Sequence, residues 1–503
     1  MSRQTDFWGN LSAFLALFLD NVGNLVFLSS ILIVTFHYPA DLVLTRMLPG
    51  TALGVLFGDL TYTWLALRLR KKTGRTDVTA MPLGLDTPST IGIAYAVLGP
   101  AYLATNDAML AWKIGMANLF IIGVVKIITS FLGGYVQRVI PTAGLLGSIA
   151  GIGLLFLGFL PLIEIFNSVI VGMVAAGLMF YVLVGKMELP YRLPGVLVAV
   201  VLGSLLYRVL GVAGYIPEFQ APPLQITLTA PAFSIGFLSV LPETLKYLPI
   251  AIPFGIMTII GGINNTESAR LAGDDYRARD ILLTEAFATL VAAFFGGVAQ
   301  TTPYIGHPAY KKMGATHWYT LATGLLIGLG ALGGIIAVIV NIIPKAVLAP
   351  IFIFVGFEIV SLAYAAVPAA QWPAVTCCFF PTIASLVLII LGQFLQQMNI
   401  SAGALTPQLK SLYQTLTVLG NGFILTAMLW GGMLSSLIEK RTKRSATYAV
   451  LCAVCTLFGL MHSVLPSGEV YLPWNMAGQV HWEIAFSYIV LSGLFWGLAV
   501  SRR

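Results

Sequence analysis

The chain has 503 residues, 58% of them hydrophobic and 9% charged, with a mean hydropathy of +0.90, whereas soluble globular chains carry roughly 25% charged residues. So few polar side chains cannot coat a water-soluble body or a string of soluble domains, which leaves lipid as the main solvent. The formal net charge of +7 gives no reason to expect a nucleic-acid partner, because the cations gather in short loops as membrane orientation requires.

In chain order, apolar runs predict membrane segments at 10-35, 47-68, 83-99, 109-133, 141-160, 165-184, 193-211, 245-264, 281-298, 301-313, 319-340, 345-366, 374-395, 414-438, 446-465 and 482-500. Most have the roughly 20 residues that carry a helix across hydrocarbon. Their continuity excludes a β-barrel, whose strands alternate in hydrophobicity over about ten residues. The first run lacks a small-residue cleavage signature and reads as a retained span. Arg68, Arg70, Lys71, Lys72 and Arg75 follow the second segment, Lys186 and Arg192 the sixth, and Arg270, Arg277 and Arg279 the eighth. Lys440, Arg441, Lys443 and Arg444 follow the fourteenth, and Arg502 and Arg503 end the chain. Cation bias therefore predicts a multi-pass protein of the inner (plasma) membrane with both termini cytoplasmic.

The proline-rich connection 212-244, with Pro217, Pro222, Pro223, Pro231 and Pro242, divides the chain after seven segments. The expected organisation is a first repeat at 1-211, a second at 245-438 and two additional helices within 445-503. An odd number of segments per repeat makes the second enter from the opposite membrane face. The predicted fold is thus an all-α polytopic membrane protein of the seven-plus-seven inverted-repeat class.

The third segment, MPLGLDTPSTIGIAYAVLGP, is interrupted at Gly84 and Pro88 beside Asp86, Thr87, Ser89 and Thr90. The tenth, AQTTPYIGHPAYKKMG, is interrupted at Pro303 and Pro308 around Tyr304, Gly306 and His307. Breaks at matching positions of two halves point to a binding site near the membrane midplane. The opening segments echo each other as well: FLDNVGNLVF carries Asp20, Asn21 and Asn24, and GGINNTESARLAGDDY carries Asn264, Asn265, Thr266 and Glu267.

The expected solute-binding residues are Asp86, Thr87, Ser89, Asn264, Asn265, Glu267, Thr302, Tyr304, Gly306 and His307, and the expected coupling residues are Asp20, Asn24, Asp86, Glu267 and His307. A carboxylate in hydrocarbon must be paired, hydrated or protonated, which suits Asp20, Asp86 and Glu267 to coupling. A helix cap competes as the reading of Asp86, a hydrated helix end as that of Glu267, and helix-to-helix hydrogen bonding as that of Asp20. For His307 the imidazole can exchange protons near neutrality, with packing as the alternative. Glu285 and Glu358 lie inside apolar spans, where a helix-to-helix hydrogen bond explains them as well as transport does. No metal centre, phosphate loop or catalytic motif is present, so the chain is expected not to be an enzyme.

LGLDTPS at Leu83 to Ser89, RDILLTEAFATLVAAFFGG at Arg279 to Gly297 and the following TTPYIGHPAY resemble the nucleobase/ascorbate transporter superfamily, the xanthine and uracil permeases. The resemblance implies a core domain from about 10-133 and 245-340 and a gate domain from about 141-211 and 345-438. It also implies a short strand joined to a half-helix in the third and tenth segments, and a homodimer. Asn265 or Glu267 falls near the family's acidic position in the eighth segment, and Ile305 or Gly306 near that in the tenth, where this chain has no carboxylate. The function so implied is alternating-access transport of a nucleobase or related heterocycle in symport with protons, sodium being the other candidate ion, without a cofactor. Two other readings stand beside it: an anion carrier of sulfate or carboxylate type with the same fold, and a membrane sensor or assembly protein that no longer transports.

Overall fold

The computed structural model describes residues 2–139, 141–190, 195–216, 219, 228–398, 400–466, 468–476 and 478–501. Arg192, Pro217, Pro222, Pro223, Arg502 and Arg503, on which part of the loop and terminus reading falls, lie outside them. Among the described residues nine helical spans are long and apolar enough to cross a bilayer, or ten when the pair Pro407–Gly420 and Phe423–Ile438, bent by 70°, counts as one. The chain is an all-α polytopic membrane protein of the seven-plus-seven inverted-repeat type with two further helices at its C-terminal end.

It divides into two compact units. The first comprises residues 1–136, 165–242 and 254–348. It holds α1 (Ser2–Ser30), α2 (Leu48–Thr73), β1 (Leu83–Leu85), α3 (Thr87–Ile93) and all but the last few residues of α4 (Ala108–Val139). From the second half it holds most of α5 (Leu248–Leu271), then α6 (Ala278–Phe294), β2 (Thr301–Pro303), α7 (His307–Lys312) and α8 (Trp318–Leu332). Small residues let α2 approach two neighbours at backbone distance, the usual way helices associate in lipid. A Cβ on Gly54 would stand 2.7 Å from the Ala288 carbonyl oxygen of α6, and one on Gly324 of α8 would stand 2.8 Å from the Asp59 Cβ of α2.

The second unit comprises residues 137–164, 243–253 and 349–503. Its core gathers Ala143, Ala150, Ala363, Ala374, Val375, Cys378 and Ala427. The two C-terminal helices, α9 (Thr442–Leu457) and α10 (Val480–Ser501), pack on each other through Cys452, Ala453, Ala485 and Tyr488. Cys377, Cys378, Cys452 and Cys455 are all free thiols.

The tenth segment is not a span. It consists of the three-residue β2, a turn and the six-residue α7. The third segment is built alike, with β1 leading into α3. Prolines suit both: Pro88 and Pro308 stand in the first turns of α3 and α7, where a missing backbone donor costs nothing, and Pro303 ends β2, which can spare a ladder donor there.

Candidate solute site at two crossed broken segments

The two strands form the only sheet among the described residues, an antiparallel pair with Leu83 opposite Pro303, Gly84 opposite Thr302 and Leu85 opposite Thr301. The ladder is extended at each end by the Asp86 N–H donating to the Gln300 carbonyl (3.0 Å) and the Tyr304 N–H donating to the Pro82 carbonyl (2.8 Å). Strands this short cannot hold themselves in hydrocarbon. Each is fastened by an asparagine from the first helix of its own half. The Leu85 N–H donates to Asn21 Oδ1 of α1 at 3.0 Å, and Asn265 Nδ2 of α5 donates to the Pro303 carbonyl at 2.7 Å.

At the start of α3, Asp86 is the N-cap, its Oδ2 accepting from the Ser89 N–H at 3.0 Å. Thr87, Ser89 and Thr90 are buried around it, the Thr90 hydroxyl without a hydrogen-bond partner. Asp20 and Asn24 lie one helical turn apart on α1, joined by Asn24 Nδ2 donating to the Asp20 carbonyl at 3.0 Å. Asp20 Oδ2 and Asn24 Oδ1 are buried without partners. Asp20 lies within Coulombic reach of Asp86.

On the other side of the ladder stands a fully buried pair of opposite charges, Lys126 of α4 and Glu285 of α6, with Nζ and Oε1 4.0 Å apart. Lys126 Nζ donates to the Thr301 carbonyl of β2 (2.7 Å) and to Thr289 Oγ1 (3.3 Å), while Thr302 Oγ1 donates to Glu285 Oε2 (3.2 Å). Asp86 is also within Coulombic reach of Lys126. Lys126 carries no sequence-based expectation, and the signal available was a cation midway through a span whose other lysine, Lys113, stands near its start.

Of the other expected residues, Asn265 and Tyr304 reach the ladder through the Pro303 and Pro82 carbonyls, and Glu267 and Asn264 sit apart from it. Glu267 is exposed in the last turn of α5, where Arg270 donates to it from Nε at 2.8 Å and from Nη2 at 2.5 Å. Asn264 is exposed and Asn265 half-buried. Tyr304 stacks near Tyr310 with ring centroids 6.4 Å apart, and Gly306 caps α7.

His307 is wholly buried, with Nε2 at 3.1 Å from the Thr79 carbonyl and 3.3 Å from Asp274 Oδ2. Both neighbours are acceptors, so Nε2 carries the proton. This second cluster belongs to the loops after α2 and α5. Asp274 Oδ2 also accepts from Lys311 Nζ (2.7 Å) and the Thr79 N–H (3.1 Å), and Arg75 reaches Asp274 Oδ1 at 3.3 Å. Burial acts to raise the Asp274 carboxyl, but donation from His307, Lys311 and the Thr79 amide outweighs it and holds the group below the ordinary carboxylate range. The Arg75 hydrogen bonds likewise hold exposed Asp77 low.

The fold as a whole is similar to those of solved transporters. The chain is similar to the transmembrane domain of a cyanobacterium bicarbonate transporter, BicA, at 18% identity and a TM-score of 0.53, covering 78% of this chain and 97% of that one. It is also similar to SLC26A9, at 12% identity and a TM-score of 0.54, covering 80% of this chain and 66% of that one. At these identities the likeness is one of fold. No family profile matches the sequence, and no curated protein matches it. The nucleobase/ascorbate superfamily reading, with its xanthine or uracil substrate, is corrected by these matches, which lead to a bicarbonate transporter. The physical reason is that LGLDTPS and TTPYIGHPAY meet the requirements of a strand turning into a half-helix, a geometry of the fold rather than of one substrate.

Proposed function

We propose that the chain is a secondary carrier of a small anion, of bicarbonate, sulfate or carboxylate type, moved by alternating access. The observation that carries this reading is a buried ammonium, Lys126, fixed to the tenth-segment strand beside the ladder, in a fold shared with a bicarbonate transporter's membrane domain. Ladder and half-helices supply what a small oxyanion needs: backbone N–H groups, the hydroxyls of Thr87, Ser89 and Thr302, and a compensating cation. The core segments, about 10-133 and 245-340, hold the solute.

Asp20, Asp86 and Glu285 outnumber Lys126, so an anion enters without a charge penalty only when a proton or a metal cation enters too. Proton symport follows most directly from carboxyls with unpartnered oxygens such as Asp20 Oδ2; sodium is the second reading of the same groups. We further infer that the protein lies in the inner (plasma) membrane with both termini and the Lys440 to Arg444 loop cytoplasmic, from its loop cations.

The test is uptake by the purified protein in liposomes of labelled bicarbonate, sulfate and small carboxylates, with an inward proton gradient, a sodium gradient or neither. Gradient-stimulated accumulation of at least one anion is expected. Failure of every anion under every gradient would overturn the reading.

A further inference from the structure

Lys126 and Glu285 form a charge pair in the one part of the molecule where charge is most costly, and neither the fold nor the helix packing requires it. A strand carbonyl such as that of Thr301 is satisfied by any neutral donor. An ammonium with no solvent access is retained at a desolvation cost that a neutral pair of similar volume would avoid. The pair is also incompletely bonded. Lys126 spends two donors on Thr301 and Thr289, its third faces Glu285 Oε1 at ion-pair rather than hydrogen-bond distance, and that oxygen accepts no hydrogen bond. The Glu285 oxygen on the other side takes the hydroxyl of Thr302, the residue opposite Gly84 at the centre of the ladder. The pair thus touches both the backbone and the side chains of the tenth-segment strand.

We propose that Lys126 and Glu285 together set the charge of the solute site, Lys126 as a positioning and specificity-determining cation and Glu285 as the counter-charge that attenuates it. This rests on the anion-carrier reading and names the residues that give the site its sign. The charged and titratable groups facing the pair are Asp86, before α3, and Tyr62, on α2. With Lys126 charged, Glu285 is neutralised and the anion meets the other carboxyls around the ladder, Asp20, Asp86 and Asp59, the last buried beside Leu83 of β1. With Lys126 removed, Glu285 adds a further negative charge in a low-dielectric site.

The two halves of the pair therefore affect an anion in opposite directions, which a purely structural pair cannot do. Lys126→Gln, Glu285→Gln and the double variant are assayed in liposomes for the KM of whichever anion the wild type carries, across pH, with thermal unfolding in detergent as the check on folding. Lys126→Gln is expected to raise KM about tenfold or more at neutral pH, a loss that shrinks as acid protonates Glu285; Glu285→Gln is expected to lower KM about threefold. The double variant is expected to return within about threefold of the wild type. Should Lys126→Gln fail to fold, Glu285→Gln, whose remaining ammonium still has Asp86 within Coulombic reach, and the double variant, which removes both charges of the pair, carry the test alone. Both single variants raising KM, or neither moving it, would overturn the proposal while leaving the carrier reading intact. A wild type that accumulates no anion would remove that reading, and this inference with it.

Discussion

Asp274 and Glu285 are both wholly buried carboxylates of the first unit, and they are treated in opposite ways. Asp274, in the loop after α5, accepts from Lys311 and the Thr79 amide and has Arg75 and His307 within 3.3 Å. Its neighbours are bonded in turn: Tyr276 donates to the Thr79 carbonyl at 2.6 Å and Lys311 to the Asp77 carbonyl at 2.9 Å. Glu285, inside a span, has the Thr302 hydroxyl and a lysine 4.0 Å away, and unpartnered oxygens recur at Asp20, Asn24 and Thr90. The Asp274 network is the more fully bonded, with Arg75 paired to the one carboxylate oxygen, Oδ1, that accepts no hydrogen bond, and it ties the loops after α2 and α5 to α7. An unsaturated one retains hydrogen-bonding capacity for a solute or a proton, at a cost in stability that only function explains.

That contrast is broken most severely at Asp274. Asp274→Ala leaves Lys311 and Arg75 without their buried partner and should cost about 3 kcal/mol of stability, read as a lowered midpoint in thermal or denaturant unfolding of the detergent-purified protein. Glu285→Gln keeps the Thr302 hydrogen bond and leaves Lys126 with Asp86 within Coulombic reach, so it should lower the same midpoint by less than Asp274→Ala does while changing transport. Equal destabilisation by the two would erase the distinction.

Acid should act through Asp274 in the same direction. Its folded carboxyl lies below the unfolded value of about 4, so its contribution to stability is present at neutral pH and is lost as pH falls through the folded value. Asp274→Asn should flatten that acid limb of stability against pH. An unchanged limb would show that other carboxylates carry it.

Smaller effects follow outward from the cluster. Tyr276→Phe removes one hydroxyl bond to Thr79 and should cost about 1 kcal/mol. Asp77→Asn, at an exposed pair with Arg75, should change stability by no more than about 0.5 kcal/mol.

Hydropathy made the membrane architecture legible, and prolines beside polar residues made both broken segments legible. The number of full spans was not, because length in sequence does not reveal a bend. The expected 414-438 span is part of a pair bent by 70° around Asn421 and Gly422, and Trp318–Leu332 and Val169–Leu183 are shorter than a straight crossing needs. At the site, Asp86, Thr302 and Asn265 were nameable because they sit at the breaks or in the echoed opening segments. Lys126 and Glu285 come from two different helices and become a pair only once β2 lies between them and the rest of the core. Glu267 and Glu285 were alike in sequence as carboxylates of the second half. The structure separates them, because α5 has reached its exposed last turn at Glu267 whereas Glu285 faces inward from α6.

The most direct test of the account is whether an anion occupies the crossing of the two broken segments. With the four native cysteines replaced by serine, Thr302→Cys places a thiol on the half-buried face of β2, opposite Gly84. Its alkylation rate in proteoliposomes should fall when the transported anion is added and should be unaffected by a non-transported anion at equal ionic strength. An alkylation rate indifferent to the transported anion, in protein that still carries it, would contradict a solute site at β1 and β2.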